Sequence, residues 1–502
     1  MFMHFLIFRM TEECSLIKER SIKKNYIFNT AYQVLALCTP LITAPYLSRT
    51  LGADGIGIQS YTNSIVSYFI LVAVLGSTTF GQRKIATVRE NKDELSRTFW
   101  EIVFFRMFTV VIVLIFYAGF LILNHEYFNI YLISTINIVN VFVDITWFYQ
   151  GVEDFPRIVV RNCIIRLAQI IAIFVFVKSP DDLALYVMLL AGFTFLANVW
   201  TWLYVPQYIN KPNNIHIFKN LKDMILLFLP TIATQVYLVL DKSMIGIITD
   251  STYQNGCYEQ SEKIARMALT IVTSVAAVIL PRVANLYNNG EKSRAIQYVY
   301  KGYRFVWMLA MPIMLGLIGI SSVFVPVFFG EGYDLAEILM PIFSVLVVAV
   351  SLAYVTGYSF LIPTGQQNVY TAAVTVAAGV NLVLNLCMIP ILGAIGAAIA
   401  SVLAEIIGVA IQIIFCCRTK QLQITNIFSS VWRYAVSAAV MLILLLYLQR
   451  IVSETVIGLL VLVFVGGLAY AVMLVVLRDL FFVQNVKNIC TSIKNKLSRK
   501  DG

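Results

Sequence analysis

Residues 235–247 read QVYLVLDKSMIGI, an aspartate and a lysine side by side in an otherwise apolar run. A charge at the middle of a bilayer helix costs about 2.5–3.5 kcal/mol on insertion scales, so such residues face a bundle interior, a partner or water. Neighbours on a helix point about 100° apart. Asp241 and Lys242 therefore cannot stack on one another, and each needs its own surroundings. Gln235 shares the Lys242 face and widens the polar stripe.

Working outward, the chain becomes more apolar still. Of its 502 residues 59% are hydrophobic and 13% charged, against about a quarter charged in soluble chains. Apolar stretches of roughly 20 residues, each long enough to cross a ~30 Å hydrocarbon core, recur from Asn25 to Leu477. A transmembrane barrel would alternate in ~10-residue segments instead. The fold class expected is an all-α polytopic membrane protein with about 14 transmembrane helices. Their approximate limits are 25–48, 57–80, 100–123, 127–149, 158–178, 183–206, 223–248, 260–281, 303–329, 335–361, 369–390, 393–417, 431–449 and 455–477. The division inside 369–417 is the tightest, because IPILGAIG must turn within a few residues.

Charge asymmetry supports this count. With the N-terminus in the cytosol, 30 of the 37 Lys and Arg fall on inner segments. Three are outer (Arg49, Lys178, Arg450) and four lie inside spans (Arg106, Lys242, Lys263, Arg266). Such a bias is the positive-inside pattern, and one helix more or fewer would break its phase. Both termini are then cytosolic, and the net charge of +10 needs no nucleic-acid partner to explain it. The organisation expected is a cytosolic segment 1–24, a six-helix lobe 25–206, a linker 207–222, a second six-helix lobe 223–417, two further helices within 431–477 and a basic cytosolic tail 478–502. The opening MFMHFLIFRM reads as a cytosolic or interfacial leader, or an early start codon, rather than a signal peptide. Eight scattered cysteines, three dispersed histidines and no CxxC spacing give no metal site, and no cofactor is expected. No GxxxxGK[ST] loop occurs, so the chain does not hydrolyse ATP through a P-loop.

The two lobes carry a faint internal repeat. A shift of 199 residues lays IGIQSYTNSI (56–65) over NGCYEQSEKI (255–264), Gly57 on Gly256, Ile65 on Ile264, and Arg83 on Arg282. At a slightly different offset YQGVEDF (149–155) lies over PTGQQNV (363–369), Gly151 on Gly365. Six spans per copy, an even number, give both copies one orientation, as two bundles related by pseudo-twofold symmetry about the membrane normal.

Several embedded polar residues can carry chemistry. In YEQSEKIAR, Glu259 precedes Lys263 and Glu262 precedes Arg266, each at the stabilising i,i+4 spacing. One reading is two structural pairs at a helix start. The other is that Lys242, Lys263 and Arg266 face a cavity and attract an anion, tuned by Asp241, Glu259 and Glu262. Arg106 and Asp144 sit at equal depth from the cytosolic ends of their spans and read as a structural pair. Asn29, Gln33, Gln59 and Asn63 are among too many polar residues for lipid-facing helices and suggest a hydrated wall. Glu405 lies below the small-residue seam Gly393, Ala397, Ser401, which would admit the helix bearing Asn381 and Asn385. It is a candidate protonation site for ion coupling or a packing residue.

Residues 25–65, NYIFNTAYQVLALCTPLITAPYLSRTLGADGIGIQSYTNSI, closely resemble the opening of polysaccharide-repeat flippases of the MATE-like multidrug/oligosaccharidyl-lipid/polysaccharide exporter superfamily. LPTIATQVYLVLDKSMIGI, NGCYEQSEKIARM and LPRVANLY resemble the start of that family's second lobe. The resemblance implies alternating access and a substrate that is an undecaprenyl-pyrophosphate-linked oligosaccharide, moved from the cytoplasmic to the outer leaflet of the bacterial cell membrane for capsule or exopolysaccharide synthesis. It implies Arg49, Lys242, Lys263 and Arg266 as headgroup contacts. Partners expected are that substrate, the bilayer, H+ or Na+ as coupling ion, and the polymerase and glycosyltransferases of the same pathway. The nearest alternative is an ion-coupled drug antiporter of the same superfamily, whose cationic drugs want a cavity carboxylate that spans one and two lack. A membrane enzyme is the other rival, but it needs catalytic groups outside the bilayer, and the outer loops are short.

Overall fold

The structure is a computed structural model that describes residues 22–211, 214–277, 279–485, 487, 488 and 491. The side chains of 22–38, 229–231, 233, 234, 236–238 and 275–277 lie outside the described set. Among the described residues every regular element is helical. Eleven helices among the described residues are long and apolar enough to cross a membrane, or twelve if the bent pair Thr252–Ser274 and Ile279–Asn288 is one span. Fourteen spans are compatible with that number, because the Thr39–Val88 stretch, counted once, is broken at Gly52 and the helix Leu221–Thr249 is not among the eleven. In lipid, backbone groups must be satisfied within the segment, which is why the chain resolves into helices and why each break has a local cause.

The first break is Gly52, at φ 69° and ψ 176° inside Ile22–Val74, a left-handed geometry that glycine adopts without penalty. The second is Leu75–Gly76, which ends span two earlier than the expected 57–80 and starts the helix Ser77–Val88. Span four ends early as well. Phe128–Val143 stops at Asp144, whose carboxylate accepts from the Thr146 backbone N–H at 2.9 Å and its hydroxyl at 2.6 Å, a local turn that leads into the short helix Thr146–Gly151. The tight turn expected in IPILGAIG is one residue: Gln367–Leu392 and Ala394–Arg418 meet at Gly393, φ 59°.

Two compact units emerge. The first gathers the described residues of Met1–Thr43 with Val72–Lys178 and Ala184–Phe228. Its core is aromatic, with Phe99 of the helix Lys92–Leu123 packed on Trp147, Phe148 and Trp202. The second gathers Ala44–Leu71, Ser179–Leu183 and the described residues of Leu229–Gly502. Its core runs from Tyr258, Phe343 and the Ala394–Ala398 seam to Trp307 and Tyr434. Asp479, fully buried just after the helix Val456–Val476, pairs with Arg304 at 3.2 Å and Arg433 at 3.6 Å.

Arg106 explains how the first unit tolerates its breaks. It is 1% exposed. Its guanidinium donates to Ser77 Oγ at 2.8 Å and Thr78 Oγ1 at 2.6 Å, at the start of one new helix. It also donates to the carbonyls of Val141 at 3.2 Å and Asp144 at 2.6 Å, which the end of another helix leaves without intrahelical partners. Arg106 and Asp144 thus meet through a backbone carbonyl, while the Asp144 carboxylate accepts from Thr146. Replacing Arg106 with leucine removes four hydrogen bonds from a buried site, and the expected loss is about 3–5 kcal/mol. Thermal unfolding in detergent should show a large fall in Tm; a Tm within a degree of wild type would contradict this role.

Candidate anion-binding site

The helix Leu221–Thr249 delivers Asp241 and Lys242 into different surroundings within the second unit. Asp241 turns to the helices Thr252–Ala277, Gln367–Leu392 and Ala394–Arg418. Its carboxylate accepts from Tyr258 OH at 2.5 Å, from Asn385 Nδ2 at 2.6 Å and from the Ser401 hydroxyl. Asn381 closes a ring, donating to Ser401 Oγ and accepting from Asn385, both at 3.1 Å. All five side chains are buried.

Lys242 faces the other way. Its Nζ lies 2.5 Å from Glu259 Oε2 and 3.1 Å from Glu262 Oε2, and its backbone carbonyl accepts from Asn255 at 2.8 Å. Helix Thr252–Ala277 begins eight residues before the expected span at 260, so the two glutamates stand on its second and third turns rather than at its start. Both i,i+4 pairs form: Lys263 to Glu259 at 3.5 Å, and Arg266 to Glu262 at 2.5 Å. Lys263 also donates to Gln260 Oε1 at 3.2 Å.

Three cations and two carboxylates in mutual contact leave a formal excess of one positive charge. Exposure decides which of them a ligand can reach. The Lys242 side chain is 19% exposed and Glu262 7%, whereas Lys263 is 32% and Arg266 45%. The five residues, with Met267 and Thr270, line one open recess. A smaller recess alongside shares Glu262 and Arg266 and adds Asp241, Ser401 and Glu405. The arrangement can hold an anion at Lys263 and Arg266, with Lys242 fixed behind them.

The remaining candidates lie elsewhere. Arg49 donates to the Val327 carbonyl at 2.6 Å, near the end of the helix Lys292–Phe329, and is not among the lining residues of either recess. Gln59 is half-buried, and Asn63 and Gln235 are exposed. The side chains of Asn29 and Gln33 lie outside the described residues. Sequence reasoning missed Ser60, whose hydroxyl donates to Glu259 Oε2 at 3.1 Å, and Ser243, which donates to Ser64 at 2.9 Å and Tyr68 at 3.0 Å. The available signal was the three-and-four spacing of Gly57, Ser60, Ser64 and Tyr68 on one helical face.

Known proteins resemble this chain in sequence and in fold. A family described as "Polysaccharide biosynthesis protein" matches residues 22–287, more than half of the chain. The chain belongs to this family. A relative from Escherichia coli (strain K12), "Putative O-antigen transporter", is 25% identical over 413 residues, covering 80% of this chain and 98% of that protein. From Haloferax volcanii, "Probable low-salt glycan biosynthesis flippase Agl15" is 23% identical over 248 residues, 48% of this chain and 51% of that one. Among solved structures, "Lipid II flippase MurJ, inward closed conformation" superposes with a TM-score of 0.69 at 15% identity, over 91% of this chain and 99% of that one. The fold of this polysaccharide biosynthesis protein is therefore the MurJ fold, and the chain is a multi-pass membrane protein.

The geometry separates Lys242 from its neighbours in a measurable way. Lys242→Met leaves two carboxylates without their central cation, at an expected cost of about 3–5 kcal/mol. Lys263→Ala removes a more exposed charge and should cost under about 1 kcal/mol. Thermal unfolding in detergent should therefore fall much further for the Lys242 variant; equal Tm values would contradict the assignment.

Proposed function

We propose that the chain is a flippase for undecaprenyl-pyrophosphate-linked oligosaccharide repeat units, moving them from the cytoplasmic to the outer leaflet of the bacterial cell membrane for surface polysaccharide synthesis. The observation that carries this reading is the cation-rich recess on membrane helices of a polysaccharide biosynthesis protein. A lipid-linked pyrophosphate has three parts with different needs. The polyprenyl tail can stay in the bilayer, the sugars need hydroxyl and amide partners, and the diphosphate needs cations where water is scarce. Two opposite charges about 4 Å apart attract by about 4 kcal/mol at an effective dielectric near 20. Lys263 and Arg266, half open to the recess, supply that attraction. Lys242 stays bonded to both glutamates and holds the cluster in place.

Alternating access would be carried by the two six-helix lobes, 25–206 and 223–417, with the helices within 431–477 appended and both termini cytosolic, as the charge pattern supports. The pathway's glycosyltransferases would load the cytoplasmic side and its polymerase would draw from the outer side. Asp241 is the group best built to respond to H+ or Na+. It is a buried carboxylate beside Asn385, whose Oδ1 has no hydrogen-bond partner among the described residues, and it shares a recess with Glu405. The named relatives are a transporter and a flippase, and a non-enzymatic role agrees with that.

Proteoliposomes carrying a fluorescent undecaprenyl-pyrophosphate oligosaccharide test the reading. Wild type should translocate the lipid; Lys263→Ala and Arg266→Ala should each slow it about 10-fold, equivalent to about 1.4 kcal/mol, with Lys178→Ala unchanged. A Lys263→Ala/Arg266→Ala protein that flips at the wild-type rate would remove the site. In the same vesicles Asp241→Asn should abolish any acceleration by an imposed H+ or Na+ gradient, and an undiminished gradient response would exclude that role.

A further inference from the structure

Two residues, one lining the anion recess and one bonded to its Lys263, link that recess to a close helix contact inside the second unit. The stretch after Gly52 and the helix Thr252–Ala277 cross backbone to backbone. A Cβ on Gly57 would run into the Thr252 carbonyl, and one on Gly256 into the Ala53 carbonyl. Gly57 and Gly256, like Ala53 and Thr252, are 199 residues apart, so the contact is reciprocal about the internal repeat. Polar bonds secure the crossing. Asp54 accepts from Thr252, Ser48 Oγ accepts from Gln260 Nε2 at 2.7 Å, and Ser60 donates to Glu259 at 3.1 Å, again across 199 residues. This crossing is a clasp.

Glu259 lines the recess, Gln260 bonds to Lys263 in its wall, and both also reach the clasp. The Glu259 Oε2 that accepts from Ser60 is the oxygen 2.5 Å from Lys242 Nζ, while Oε1 faces Lys263. Gln260 holds Ser48 with its amide N–H and accepts from Lys263 with its carbonyl. Lys263 is therefore the common partner of the two clasp residues. A pyrophosphate that takes Lys263 and Arg266 withdraws it from both. It also turns a cluster with one excess positive charge into one with an excess of negative charge. Of the two carboxylates Glu259, at 17% exposure against 7% for Glu262, has the more room to move; drawn further onto Lys242, which it keeps, it gives up its bond to Ser60.

We propose that Glu259 and Gln260 are positioning residues that open the Gly57–Gly256 clasp when the headgroup fills the recess. The charge pattern assigns this crossing to the outer side of the membrane, so the device couples loading of the site to release of its outer closure. The inference rests on the flippase reading of the recess. Linkage makes it reciprocal: a ligand that favours the open clasp must bind more tightly when the clasp is weakened.

Two measurements on the full chain in nanodiscs test it, with undecaprenyl pyrophosphate as the probe. First, Asp54→Cys and Thr252→Cys are introduced after the native cysteines have been replaced. Oxidation should cross-link the pair readily, and saturating probe should slow cross-linking at least about 5-fold, while undecaprenol leaves it unchanged. Second, Ser60→Ala should bind the probe about 5- to 10-fold more tightly than wild type, the fold-change of one hydrogen bond to a charged group. A merely structural serine would not raise affinity. Bound probe with an unchanged cross-linking rate overturns the clasp and leaves the flippase reading standing. Wild type that binds no probe overturns the flippase reading, and the clasp proposal with it. If the cysteine pair fails to fold, the serine variant decides alone: tighter binding supports the clasp, and equal or weaker binding overturns it.

Discussion

Lys242 held between Glu259 and Glu262 is the interaction on which the second unit depends. Three charges with side chains at most 19% exposed are tolerable only together, since removing one partner of a buried pair leaves an uncompensated charge. That requirement fixes the rotation of two helices: Lys242 and the glutamates must face each other, so Asp241, about 100° away, must face Asn385 and Ser401. One helix thereby separates a positive recess from a buried carboxylate network. Asp241 and Lys242, adjacent in the chain, do not balance each other at all.

Much of this was legible from residues alone, wherever a rule is local. Hydropathy located the spans, and the i,i+4 rule paired Glu259 with Lys263 and Glu262 with Arg266. The glycine in IPILGAIG marked a turn that proved to be a single residue. Boundaries failed where a polar side chain, not apolarity, sets the end. Asp144 turns the chain inside an apolar run by bonding to Thr146, and Leu75–Gly76 breaks a span that hydropathy continues. Partners across helices were not legible, because nothing in the local pattern ties Lys242 to Glu259, Ser60 to Glu259, or Arg49 to the Val327 carbonyl. Arg49 reached the headgroup group by resemblance alone, and its geometry belongs to a different neighbourhood.

The two units meet the cost of polar groups in lipid by different means. In the first, Arg106 gathers the loose ends of broken helices and offers no free charge to a ligand. In the second, the charges are paired but leave Lys263 and Arg266 half open on a recess, where a diphosphate can compete for them. Competition rather than vacancy is a useful property in a transporter. A site that exchanges internal carboxylates for a ligand's phosphates binds without ever being an unpaired charge in the membrane, and it can let go again.

The most direct measurement is an electron cryo-microscopy structure of the chain in nanodiscs with undecaprenyl pyrophosphate bound. Phosphate density within hydrogen-bonding distance of Lys263 and Arg266, with Lys242 still on its glutamates, is the expected result. Phosphate bound elsewhere, with the Lys263–Glu259 and Arg266–Glu262 pairs intact, would contradict it.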